Sequence, residues 1–228
     1  MFHFFHLSFC KAIHGKLSKE YFFLVQKYRE KYPNLKIRLK KCISSEGVLK
    51  FENLIVRNNR MPVYKTVQTI QFEKTDFGSD IKEIVRNKGE INCTNYFQVE
   101  KNVFKIIGYK EQILNAPAIL LFFLCDGKYF MGEYIFSENV KSISGQLVKT
   151  IFKRYGIEAQ NDEPQFYVED EQGSVLCVFD NGFSLSIKYF NSVFCHSLEN
   201  LQTLYKRKFS DNQQQFPGAQ GYTSENKF

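Results

Sequence analysis

Apolar residues recur every three or four positions over 17–32. Leu17, Tyr21, Leu24, Val25, Tyr28 and Tyr32 form one stripe, with Lys19, Lys27, Arg29 and Lys31 off it. The spacing predicts a helix. Ser18 is placed to cap its first turn, Leu17 and Phe22 occupy the positions of a hydrophobic staple, and Pro33 stops it. Beyond that proline the period changes to two. Segments 35–43 and 48–57 alternate apolar with polar around Ser-Ser-Glu-Gly, which predicts a hairpin. Val63, Thr66, Val67, Thr69 and Ile70 predict a third strand within 62–73. A short helix is expected over 79–88, with Ile81, Ile84 and Val85 on one face and Gly89 as its stop.

Strands are predicted next around 96–99, 103–109, 119–124 and 129–136. The last two flank Asp126-Gly127, a strong two-residue hairpin signal. Residues 119–124 are apolar on both faces, so they belong in the middle of a sheet that is covered on both sides. Ile143, Leu147, Val148, Ile151, Phe152 and Tyr155 predict a second helix over 142–155. Lys149, Lys153 and Arg154 sit toward its negative end and Gly156 follows. Three more strands (165–169, 174–179, 183–190) and a helix over 198–208 complete the periodic part. Residues 210–228 are polar, rich in Gly, Gln and Asn, and aperiodic, so disorder is expected there.

Strands joined by tight turns run into a helix three times, roughly over 35–88, 95–155 and 165–208. The expected class is α+β: antiparallel sheet or sheets built from hairpins, with three or four amphipathic helices packed on one face. The rhythm is compatible with repeated strand-strand-helix units. The chain divides into an apolar segment over 1–16 and a basic helix-plus-sheet portion over 17–90. An α+β portion over 91–209 shares or extends that core, and the tail covers 210–228.

With 43% hydrophobic and 24% charged residues over 228 positions, disorder throughout is excluded. A spanning helix needs about 20 apolar residues, and the longest apolar run ends at Cys125, so no membrane span is expected. No positive charge precedes the apolar opening stretch, which argues against a signal peptide. The six cysteines, at 10, 42, 93, 125, 177 and 195, include no Cys-x-x-Cys. They read as reduced thiols in a cytoplasmic or nuclear protein.

Charge changes the picture more. Of the net +7, residues 1–60 contribute +9, with 13 Lys/Arg against 4 Asp/Glu, and the remainder contributes −2. Lys27, Arg29, Lys31, Lys36, Arg38, Lys40 and Lys41 are the candidate contacts to phosphates or another acidic partner. Along 36–40 the cations alternate with Ile37 and Leu39, which would line them up on one strand face. Exposed Tyr28 or Tyr32 could stack on unpaired bases, although their place on the helix stripe favours the core for both.

Other chemistry is thinner. On a helix, His3, His6, Cys10 and His14 would share a broad face, but they span too great a length to ligate one zinc ion together. Cys195 and His196 are adjacent and cannot readily face each other as a nucleophile pair. Asp162, Glu163, Glu169, Asp170 and Glu171 could hold Mg²⁺ or perform acid–base work, or could simply be a solvated turn. Asp80-x-Lys82 and Asp126-x-Lys128 fall on a helix and a turn. No glycine-rich phosphate loop is present, and no cofactor is expected. Three readings follow. The favoured one is a non-catalytic binding or adaptor protein for a protein or acidic polymer, not an enzyme. The alternatives are a nucleic-acid-associated protein working through the basic quarter and a metal-dependent hydrolase using carboxylates near 162–171.

Overall fold

Two tight turns set the pairing of the central strands. Asp126 (φ 47°) and Gly127 (φ 83°) are both left-handed, as are Leu114 (φ 49°) and Asn115 (φ 63°). Consecutive left-handed residues make the two-residue turn whose twist matches that of a hairpin. The computed structural model describes residues 2–32, 61–99, 102–136, 140–158, 165–180 and 185–194. Its helices are α1 (Phe2–His14), α2 (Lys19–Lys31), α3 (Ile81–Lys88) and α4 (Val140–Tyr155). Its strands are β1 (Val63–Lys65), β2 (Cys93–Val99), β3 (Asn102–Ile113), β4 (Ala116–Cys125), β5 (Lys128–Phe136), β6 (Gln165–Glu169), β7 (Ser174–Asp180) and β8 (Leu185–Asn191). All the described strands belong to one sheet in the order β1-β6-β7-β8-β5-β4-β3-β2. The pairs β2–β3, β3–β4, β4–β5, β5–β8, β6–β7 and β7–β8 are antiparallel. The fold is α+β.

Strand β4 lies inside the sheet, as its doubly apolar sequence predicted. Its Leu120, Phe122 and Leu124 join one buried cluster, and Leu121 and Phe123, on the other face, are buried too. Ile143, Leu147, Ile151 and Phe152 of α4 and Ile84 of α3 belong to the same buried cluster as Phe166, Val178 and Ile187 of the sheet, and the Phe152 and Phe166 rings meet at 4.8 Å. A bulge between Phe123 and Leu124 leaves Phe130 as the extra residue of β5. Its ring meets Phe104 at 6.2 Å, while Tyr129 turns into the helix-covered cluster.

The expected strand over 62–73 is only three residues long, and β1 pairs with β6 in parallel, a pairing the hairpin pattern did not suggest. Past Lys65 side chains take over from the ladder. Thr66 Oγ1 donates to the Tyr155 carbonyl at 2.8 Å, and the Ile70 amide donates to Asp170 at 2.9 Å. The chain then makes a tight turn at Glu73 and Lys74, both left-handed (φ 54° and 56°), with Phe72 bridged to Thr75. Phe72 is fully buried. A Cβ on Gly132 would stand 2.2 Å from its ring, so glycine is the residue that admits it.

Cys10, Cys125 and Cys177 are reduced thiols, all buried. Cys93 is disulfide-bonded, contrary to the expectation of reduced thiols throughout. It opens β2, and its partner lies outside the described residues. The cysteine pattern therefore no longer argues for a reducing compartment. The hairpin expected over 35–57, the helix over 198–208 and the tail over 210–228 also lie outside them. Among the described residues no helix is long and apolar enough to cross a membrane.

Candidate functional site

The charged opening quarter is represented by a helical hairpin. Helix α1 ends where the Gly15 amide donates back to the Lys11 carbonyl, with Gly15 left-handed (φ 84°). Helix α2 starts at Ser18, whose hydroxyl accepts from the Tyr21 amide at 3.1 Å, the cap read from the sequence. Leu7 and Cys10 of α1 pack against Tyr21 and Val25 of α2, and His6 Nδ1 lies 2.7 Å from the Tyr28 hydroxyl. The hairpin is seated on the sheet through Tyr96 of β2. Phe22 and Phe23 rest on that ring at 5.4 and 6.4 Å, and its hydroxyl donates to the Leu17 carbonyl at 2.7 Å. Lys105 reaches over the same ring at 5.0 Å. Burial pulls its pKa down to about 8, against the opposing pull of Glu20.

Of the seven predicted contact residues, Lys27 and Lys31 are exposed and one turn apart on α2. The Lys31 ammonium lies 5.5 Å from the Tyr32 ring centre. Arg29 belongs to the same helix. Lys36, Arg38, Lys40 and Lys41 lie outside the described residues. Tyr28 is partly buried against the helix pair, as its place on the stripe implied. Cys10 of the histidine–cysteine set packs into the apolar cluster. Among the described residues no group of three His, Cys, Asp or Glu side chains is arranged to hold a metal ion.

The carboxylates near 169–171 do internal work. Both oxygens of Asp170 are used: one accepts from the Ile70 amide at 2.9 Å, the other from Gln172 at 2.9 Å and Ser174 at 2.8 Å. Glu169, also buried, pairs with Lys65 on β1. Glu171 is exposed, and Asp162 and Glu163 lie outside the described residues. Asp80 caps α3 by accepting from the Glu83 amide, and that bond holds its carboxyl below its usual pKa. Asp126 accepts from the Val103 amide at 3.0 Å and fastens the β4–β5 turn to β3.

A second polar cluster was not foreseen. Lys88, at the end of α3, lies 2.8 Å from Glu73 and 2.9 Å from Glu111, and the Tyr134 hydroxyl donates to Glu73. Burial disfavours the Lys88 charge, but the two carboxylate hydrogen bonds outweigh it and the net shift is upward. Tyr96, Tyr109, Tyr129, Tyr134 and Tyr189 of the sheet and Tyr155 of α4 have raised pKa values, each mainly through burial. Sheet register and the Glu73 turn assemble the Lys88 cluster from residues far apart in sequence, so no local spacing announces it. Chemically it is an ion network, one lysine between two carboxylates, that ties the Glu73 turn to α3 and the sheet.

No family model, curated protein or solved structure matches the chain.

Proposed function

We propose that this chain is a non-catalytic binding protein that presents the basic α1–α2 hairpin, on a rigid α+β scaffold, to an acidic polymer or surface. The observation that carries the reading is the division of labour among its charges. Lys27 and Lys31 are exposed on α2, whereas Asp170, Glu169, Glu73 and Lys88 are committed to internal bonds. An enzyme of the hydrolase class would use Glu169 or Asp170, and Asp170 has both oxygens taken up by backbone amides. Support for helices sharing one face comes from register: Tyr96, which carries α2, pairs with Lys105, which pairs with Leu124 of the cluster beneath α4.

The test is a titration with heparin and with a single-stranded oligonucleotide at low and raised salt. For single strands, affinity falls with a logarithmic slope of about 0.7 per neutralised phosphate. Two contacts therefore predict a loss of roughly sevenfold between about 50 and about 200 mM salt. No binding at low salt, or binding indifferent to salt, counts against the proposal.

A further inference from the structure

Helix α1 carries two apolar faces, and the hairpin uses only one. Leu7 and Cys10 are buried against α2. Phe9 and Ile13, one turn apart, are 62% and 59% exposed, on a different side of the helix. Exposing a phenylalanine and an isoleucine side by side leaves apolar area in water that an apolar environment would remove. The hairpin that carries this stripe is cationic as a whole. Lys11, on the other side of α1 from the stripe, and Lys16, past the helix end, are exposed, and residues 2–31 hold six lysines and arginines against two glutamates.

We infer that α1 is an interfacial helix that seats the protein on an anionic lipid bilayer. Phe9 and Ile13 enter the boundary between headgroups and acyl chains, and the net positive charge of the hairpin draws it to the negative headgroups. An exposed apolar stripe on a helix too short to span, within a cationic hairpin, suits a helix lying in the plane of such an interface. Charge decides between occupants. A second copy of the hairpin would bring like charges together, whereas an anionic leaflet neutralises them. The inference rests on the proposed reading that the α1–α2 hairpin is the recognition surface, and it names the acidic partner.

The chain contains no tryptophan, so Phe9→Trp provides a single reporter. Full-length protein is mixed with phosphatidylcholine vesicles, with and without phosphatidylserine, and binding is read by flotation. Insertion is read by the blue shift of the introduced indole's emission and its quenching by brominated lipid. Expected are binding to the anionic vesicles, reversal by salt, a blue shift with quenching, and at least about tenfold weaker binding for Phe9→Gln/Ile13→Gln. Absence of binding to anionic vesicles, unchanged binding of the double variant, or binding of Phe9→Trp without an emission shift would overturn the inference. So would a dimer of the parent protein that the double variant converts to monomer, because the stripe would then be a contact between copies. Heparin binding by the same preparations separates the two levels. If it persists while vesicle binding is absent, only the lipid inference fails; if both are absent, the basic-surface reading fails as well.

Discussion

Phe72 and Gly132 are the two halves of one contact. The ring lies over the glycine and meets Phe122 at 4.8 Å, Tyr134 at 4.7 Å and Tyr189 at 5.2 Å. Gly132→Ala places a methyl inside the ring's volume and should cost roughly 1–3 kcal/mol, as overpacking does. Phe72→Ala empties the site and should cost about 3–5 kcal/mol. Denaturant unfolding of the two variants measures both, and an alanine at 132 without effect would show that Phe72 is not seated there. The tyrosines make a prediction in pH. Their folded pKa values lie above the unfolded value near 10, Tyr109 at about 12. The stability they contribute is therefore complete below pH 10 and is lost as pH rises through the folded values. Phenolate absorbance should show six of the 13 tyrosines ionising late, together with loss of structure. Smooth titration of all 13 near pH 10 with the fold intact would contradict this.

At the scale of elements, Asp170 does for the 66–79 segment what a strand ladder would otherwise do. Asp170→Asn turns an amide nitrogen toward one of the donors the carboxylate now serves. It should destabilise by about 1–3 kcal/mol, and hydrogen exchange at Ile70 should speed up if the Oδ2 side is affected. Retained protection at Ile70 together with unchanged stability would remove the anchor from the account. These same elements show what could be read from the amino acids alone. Ser18, Asp126-Gly127 and the α4 stripe are local signals, each recorded in a few neighbouring residues, and their elements formed where expected. The 62–73 strand failed because β propensity favours an extended chain but names no partner, and here side chains took the ladder's place. The Glu73–Lys88–Glu111–Tyr134 network was invisible for the same reason: it exists only after register brings β3, β5 and α3 together. Cys93 shows the limit of composition, since the absence of Cys-x-x-Cys does not say which cysteines meet.

For the molecule as a whole, the charge asymmetry was legible by counting, but its placement was not. The structure leaves Lys27 and Lys31 exposed on α2 and ties Lys88, Glu73, Glu111 and Glu169 into pairs and networks. A scaffold of nearly balanced charge, −2 over residues 61–228, thus carries a cationic hairpin seated on it through Tyr96. Comparing two charge-reversed variants with equal net charge probes this separation directly. One is Lys27→Glu/Lys31→Glu on α2, the other Lys82→Glu/Arg86→Glu on the exposed side of α3. Heparin affinity is measured at low salt, on proteins with the parent's circular dichroism and melting temperature. It should fall by at least about tenfold for the α2 pair, since two lost contacts each carry part of the salt-dependent affinity, and change far less for the α3 pair. Equal losses for both pairs, or no loss for the α2 pair, would contradict the account.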